Sequence, residues 1–290
     1  MTAKILDGNA VAASIKERVK SGVAELAAVG KGVGLGTILV GDDPSSAKYV
    51  AMKHRDCEEV GITSVHRQLP ATTTQAELLA VIAEMNSSDE VDSILLQLPL
   101  PAGLDQLEAL LAILPSKDVD GLHPVNLGRL VMNEPGPLPC TPAGIVELLA
   151  FYGVQVEHKH VVLVGRGLTI GRPLAMLLSA KRKGCNATVT IAHTGTEDLG
   201  AVTRQGDIVI AAVGVAGVIK GDMIKPGAVV VGAGTPFVNG KLSSDLDPSV
   251  AEVASAVTPT IGGVGPMTRA MLLVNALGAA KAGAAGANAG

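Results

Sequence analysis

The 290-residue chain contains two Tyr, two Phe and no Trp, so aromatic side chains make up 1% of a sequence that is 48% hydrophobic. Its core must be aliphatic, and it has few of the aromatic platforms on which single-stranded nucleic acid stacks or which anchor a protein at the membrane interface. A net charge of −4 gives a polyanion nothing to bind, so neither nucleic acid nor membrane is an expected partner.

Cys57, Cys140 and Cys185 are far apart and outside any CxxC spacing, which argues against a disulfide framework and a zinc site and fits a reducing compartment. Charged residues from Lys4 to Arg18 interrupt the N-terminus before an apolar stretch reaches signal-peptide length. The most apolar run, at 228–231, is far short of the roughly 20 residues of a membrane span. A cytoplasmic location is the expectation.

Apolar runs rich in Val, Ile and Leu at 35–40, 93–96, 161–164, 187–191, 207–212 and 228–231 alternate with segments of helical period. The alternation predicts stacked βαβ units and an α/β fold, whose continuous apolar strands belong to parallel sheets covered by helices. The Pro- and Gly-rich stretch at 133–142 (NEPGPLPCTP) predicts a linker between two lobes. The Ala/Gly-rich residues 283–290 predict a flexible tail.

In the first lobe, GDDPSSAKYVAMKHRDCEEVGI has Asp43 as an N-cap, Pro44 at the first helical position and Gly61 just past the end. Tyr49 and Lys53 are four residues apart within that helix and share a face, where ring and ammonium can address one ligand. His54 falls on another face. A lysine in a partly desolvated pocket has a lowered pKa and serves proton transfer near neutral pH; a solvated charge is the better reading of a YxxxK taken alone. Short-chain dehydrogenases carry YxxxK too, but after their glycine turn, the reverse of the order here.

The run at 93–96 leads into QLPLP, placing Gln97 at a strand's carboxyl end, where open α/β sheets present ligand-binding groups. KDVDGLHPVN then places Asp118, Asp120, His123 and Asn126 in one loop. Without a further ligand pattern a solvated loop is favoured there, and no metal is expected. His158 and His160 form an HxH pair that reads as a surface turn.

In the second lobe, VVLVGRGLTIGRPLAMLL runs strand, glycine turn, helix, with Gly165, Gly167 and Gly171 at the turn. Small residues there let the backbone approach a pyrophosphate, which sits against the N–H groups and positive end of the following helix. The spacing GxGxxxG is weak evidence alone; its strand-before, helix-after context strengthens it. The next strand ends in Ala192, His193 and Thr194, without the acid that holds the ribose in NAD sites, while Arg166 lies in the turn as a fork donor for a 2′-phosphate. NADP is therefore expected over NAD.

YVAMK, QLPLP, KDVDGLHP, PCTPAGI, the glycine turn and GGVGPMT occur in an order and spacing that resembles the bifunctional methylenetetrahydrofolate dehydrogenase/methenyltetrahydrofolate cyclohydrolase family along nearly the whole chain. The resemblance implies two lobes with a cleft between them: a folate-binding catalytic domain at 1–138 and a Rossmann-type NADP-binding domain at 139–267. It further implies a helix at 268–282 returning to the first domain, and a homodimer. Tyr49 matches the family tyrosine that stacks on the aminobenzoyl ring, Lys53 the catalytic lysine, Gln97 the glutamine that tunes it, and Asp120 the acid that holds the pterin. Gly262 and Gly263 match the substrate loop, Arg166 and Thr194 match positions near the 2′-phosphate, and Thr235 falls in the cofactor segment.

The implied chemistry is oxidation of 5,10-methylenetetrahydrofolate with NADP, then hydrolysis to 10-formyltetrahydrofolate. For Lys53 to be substantially neutral near pH 7, its pKa must fall from roughly 10.4 by about 3, at a cost on the order of 4 kcal/mol. Two positions depart from the family. Gly232 stands where an acid is usual, near the nicotinamide end, and Ile261 where proline precedes the paired glycines. They leave open a cyclohydrolase with weakened dehydrogenase activity; a non-catalytic folate- or nucleotide-binding homologue is the alternative from another class. Tyr49 is expected to be the only aromatic ring against the substrate, with Phe151 and Tyr152 packed at the start of the second lobe and Phe237 in a loop.

Overall fold

The computed structural model describes residues 3–238 and 240–287. Its elements in chain order are β1 (Lys4–Ile5), α1 (Gly8–Ala28), β2 (Gly34–Val40), α2 (Pro44–Val60), β3 (Thr63–Leu69), α3 (Gln75–Ser87), β4 (Ser93–Leu96), α4 (Gln106–Ala112), α5 (Pro124–Met132) and α6 (Cys140–Phe151). There follow β5 (His160–Val164), α7 (Gly171–Ser179), β6 (Thr188–Ala192), α8 (Leu199–Thr203), β7 (Ile208–Ala211), β8 (Val229–Gly232), β9 (Phe237–Val238), β10 (Lys241–Leu242), α9 (Val250–Val253), β11 (Ala256–Val257) and α10 (Val264–Ala287).

The chain divides into two compact units: one of Met1–Ala13, Leu130–Asn133 and Thr141–Thr268, the other of Ser14–Arg129, Glu134–Cys140 and Arg269–Gly290. The changes from one unit to the other near the expected positions 138 and 267 follow Cys140 and Thr268; further changes follow Ala13, Arg129 and Asn133. The first residues join the unit built from the later part of the chain because β1 pairs with β11, Lys4 opposite Ala256 and Ile5 opposite Val257. In the stretch read as a linker, residues 133–139 form turn and loop, and α6 begins at Cys140. The segment read as a tail is helical through Ala287, as its many alanines favour; residues 288–290 lie outside the described residues.

In the unit of Ser14–Arg129, three parallel strands run in the order β3-β2-β4. Central β2, GLGTILV, is buried at every position, as a strand paired on both edges and covered on both faces must be. Ile38, Leu78, Ile82, Met85, Ile94 and Leu96 pack as one core, each such side chain worth about 1.5–3 kcal/mol on burial. Helix α2 is framed by local chemistry. Asp43 accepts the Ser46 N–H, Pro44 needs no donor in the first turn, and Gly61 closes the helix at φ 82°, the left-handed conformation that favours glycine.

In the other unit, six strands run in the order β1-β11-β8-β7-β5-β6, all parallel. Central β5, β7 and β8 are aliphatic and nearly all buried. Strand β5 lies between β6 and β7, so successive strands leave it to opposite sides and a topological switch point opens at its carboxyl end. Phe237, expected in a loop, lies in β9, which pairs antiparallel with β10, and is 66% exposed. Phe151 is half exposed, with its ring set edge-on against Tyr152, which exchanges hydrogen bonds with the Asp7 backbone. Among the described residues, no helix is long and apolar enough to cross a membrane.

Candidate active site

Lys53, on α2, is 5% exposed. Its Nζ donates to Gln97 Oε1 at 3.2 Å and stands 4.7 Å from the centre of the Tyr49 ring. The sequence sets this up twice over: the four-residue spacing stacks Tyr49 and Lys53 on one helix face, and Gln97 follows the last residue of β4. The Gln97 amide is oriented by its own Nε2–H donating to Leu98 O at 2.7 Å, so Oε1 is left facing the ammonium.

Burial pushes the Lys53 pKa down, opposed by the negative field of Asp120 and assisted by the Arg269 guanidinium. Burial likewise raises the Tyr49 hydroxyl to about 12, which leaves its ring neutral at physiological pH. Asp120 is held above the ordinary carboxylate range by burial, against the pull of Lys53. Lys53, Tyr49, Gln97 and Asp120 thus fall in one unit, with Lys53 in direct contact with Tyr49 and Gln97 and coupled to Asp120 by charge.

The loop carrying Asp120 is not the solvated loop its composition suggests. Asp118, His123 and Asn126 are buried, and the Asp118 carboxylate accepts from the Gly121 and His123 N–H groups and from Asn126 Nδ2. Asp118 therefore shapes the loop. Asn275, on α10, donates to Val119 O and Leu138 O, fixing the backbone just before Asp120 and just before Cys140. Cys140 buries a thiol whose pKa lies well above its ordinary value. Among the described residues, no three His, Cys, Asp or Glu side chains are grouped to hold a metal.

Sequence reasoning missed Asp56 and Arg269. Asp56 is buried one turn beyond Lys53 and accepts from Arg269 Nε at 2.6 Å and from Lys16 Nζ. Arg269 comes from α10, far along the chain, and its spacing from Asp56 carries no local signal. Only the i+3 position of Asp56 on the Lys53 helix could have drawn notice.

In the other unit, the glycine turn leaves β5 at the switch point. Gly165 adopts φ 116°, and a Cβ there would strike Ala212 O at the end of β7; a Cβ on Gly171 would strike the Gly165 carbonyl. Gly167 faces open space, and no side chain caps the N-terminus of α7. The turn thus keeps backbone N–H groups and a helix end free of side chains, which fits a pyrophosphate. Arg166 is exposed and its Nη1 lies 3.3 Å from His193 Nε2, at the tip of β6 beside exposed Thr194. Arg166 and His193 thus meet at the carboxyl ends of β5 and β6, while Thr235 lies exposed in the loop after β8.

Gly262 and Gly263 are buried, with Gly262 O accepting from Gly8 N–H at 2.7 Å and Gly262 at φ 82°. The departure at Gly232 has a visible counterpart: a Cβ there would lie 2.8 Å from Ser244 Oγ and 3.0 Å from Leu246 Cγ, so this segment occupies the space of a side chain. Ile261 is 76% exposed.

A six-stranded parallel sheet with a glycine turn at its switch point, together with a desolvated lysine on a separate α/β unit, defines a two-domain dehydrogenase of the dinucleotide-binding class. The sequence matches the tetrahydrofolate dehydrogenase/cyclohydrolase catalytic domain over residues 6–120 and the NAD(P)-binding domain of the same family over residues 139–284. The chain belongs to the tetrahydrofolate dehydrogenase/cyclohydrolase family. It is 53% identical over 281 residues to the bifunctional protein FolD of Syntrophotalea carbinolica, covering 97% of each chain. The crystal structure of the bifunctional FolD methylenetetrahydrofolate dehydrogenase/cyclohydrolase of Campylobacter jejuni superposes with a TM-score of 0.92 at 43% identity, over 97% of this chain and 99% of that one. FolD of Trypanosoma brucei, solved with NADP and an inhibitor, gives 0.91 at 37% identity, over 98% and 99%.

Proposed function

We propose that the protein oxidises 5,10-methylenetetrahydrofolate to the 5,10-methenyl form with NADP and hydrolyses that product to 10-formyltetrahydrofolate. The observation that carries the reading is Lys53, a buried lysine with lowered pKa, hydrogen-bonded to Gln97 and lying over Tyr49, in a chain closely similar to bifunctional relatives.

NADP, when bound, supplies the hydride acceptor. The turn of Gly165, Gly167 and Gly171 receives its pyrophosphate, Arg166 and Thr194 its 2′-phosphate, and Thr235 the segment toward the nicotinamide. Tyr49 stacks on the aminobenzoyl ring. Asp120 accepts N–H bonds from the 2-aminopyrimidine edge of the pterin, a pairing that a carboxylate with two oxygens suits. Gly262 and Gly263 form the substrate loop.

In the hydrolytic step, the oxygen of water bonds to the bridging carbon while one of its protons passes to neutral Lys53. That proton then returns to N5 as the N5–carbon bond breaks. The remaining hydroxyl proton leaves to solvent, and the carbon is left as the N10-formyl group. Gln97 holds the lysine nitrogen in place through both transfers. Desolvation is what makes a lysine usable here, because it disfavours the ammonium form. The reading includes a cytoplasmic homodimer, supported by the family resemblance.

The test is a paired assay on one preparation, following NADPH formation from methylenetetrahydrofolate and loss of methenyltetrahydrofolate absorbance without NADP. Both activities are expected, and absence of either overturns the bifunctional reading. Hydrolysis without oxidation would favour the weakened dehydrogenase left open by Gly232.

A further inference from the structure

Asp245 is fully buried, yet it follows a polar stretch and sits in no regular element. Its carboxylate accepts three backbone N–H groups: Val215 on Oδ1 at 2.9 Å, and Val213 and Gly234 on Oδ2, both at 3.0 Å. Val213 and Val215 belong to the loop that leaves β7, and Gly234 to the loop that leaves β8. One side chain therefore ties together two neighbouring loops at the carboxyl edge of the parallel sheet.

The loops themselves are open on their outer side. Gly214, at φ 70°, has nothing near the place of a Cβ, and Val215 is 56% exposed. The Val213, Val215 and Gly234 N–H groups are nonetheless directed at one carboxylate. A Cβ on Gly234 would fall on that carboxylate, so the glycine leaves room for the approach. The glycine turn packs directly on Ala212 at the start of the first loop, which connects this arrangement to the pyrophosphate position.

In a doubly wound sheet the two halves of a dinucleotide lie on either side of the switch point. Arg166, His193 and Thr194 mark the β5–β6 side; the loops after β7 and β8 lie on the other. We infer that Asp245 is a positioning residue for the nicotinamide half of NADP, setting the loops after β7 and β8 without touching the cofactor. This rests on the NADP reading given above. Only a carboxylate can accept from all three N–H groups, because an asparagine has one acceptor oxygen and its amide would point N–H donors at backbone N–H groups.

The experiment compares wild type with Asp245→Asn and Gly234→Ala by titration calorimetry, using NADP and, separately, 2′,5′-ADP, which carries the phosphate-bearing adenosine half alone. The expected result is at least tenfold weaker NADP binding in both variants, with 2′,5′-ADP bound within twofold of wild type. Equal weakening toward both ligands, or none toward NADP, overturns the inference, since a merely structural role cannot single out one half of the ligand. Loss of the fold in both variants, read by circular dichroism, overturns it as well, because the carboxylate then holds the domain and not the loops. Wild type that binds neither probe overturns the underlying NADP reading instead.

Discussion

The Lys53 ammonium nitrogen lies 4.7 Å from the centre of the Tyr49 ring, one helical turn away on the same face of α2. At this distance the ring face attracts the cation, by about 0.5–2 kcal/mol, while burial disfavours it. The lysine is thereby held in place by a group that leaves it free to give up a proton, which an adjacent carboxylate at salt-bridge distance would not do.

Replacing Lys53 by methionine keeps the length and apolar stem of the side chain and removes the proton carrier. Cyclohydrolase activity should fall by about 10²–10⁴-fold, with folate binding retained by Tyr49 and Asp120. Hydrolysis of methenyltetrahydrofolate and equilibrium binding of the same ligand are the two measurements. Full activity in the variant would sink the assignment.

Arg269 is held by Asp56 and its charge disfavours protonation of Lys53. Removing that charge in Arg269→Gln raises the Lys53 pKa, so the acid limb of the cyclohydrolase pH profile should move to higher pH. Arg269→Lys, which keeps the cation, should leave the limb near its wild-type position. A glutamine variant whose profile superposes on wild type shows that another group sets the limb.

Gly232→Asp restores the acid usual in the family but places its Cβ 2.8 Å from Ser244 Oγ. That hydroxyl is held as the acceptor of the Leu246 N–H. The substitution should destabilise the protein by about 1–3 kcal/mol, as overpacking does, seen as a lower midpoint in urea unfolding. An unchanged or higher midpoint would mean that the Ser244–Leu246 segment moves aside at no cost.

His54 and His66 share one buried hydroxyl. Thr37 Oγ1 lies 2.9 Å from His54 Nε2 and 2.8 Å from His66 Nδ1, and the two rings stand 4.8 Å apart. A hydroxyl has one proton, so it donates to one neutral ring and accepts from the other. Burial, then His66, then Lys53 lower the His54 pKa. The folded state binds fewer protons than the unfolded chain, so this stability is complete above about pH 6.5 and is lost as pH falls through that value toward the depressed pKa. Between pH 7.5 and 5.5, wild type should lose more thermal stability than His54→Gln; equal losses would remove the histidine pair as the cause.

Helix α2 was legible from sequence because its signals are local: Asp43, Pro44 and Gly61 cap it, and Tyr49 and Lys53 share a face by spacing alone. The aliphatic strands β2, β4, β5, β7 and β8 were legible from burial on both faces. Strand β3 was not, because TSVHRQL is polar at an edge where solvent reaches its side chains. Arg269 reaches Asp56 across the chain, and Asp245 hides in a run, SSDLDPS, that reads as an ordinary polar loop. Such residues act through backbone groups and partners that only the fold brings near.

The pairing of β1 with β11 has a consequence for how the chain can be divided. Without its first residues, the six-stranded sheet ends on β11, whose backbone groups then face solvent as an unpaired edge. A fragment starting at residue 139 would carry the glycine turn and every other strand of that sheet, but not the strand that seals it. The nucleotide-binding unit is thus finished by residues made before any of the rest of it.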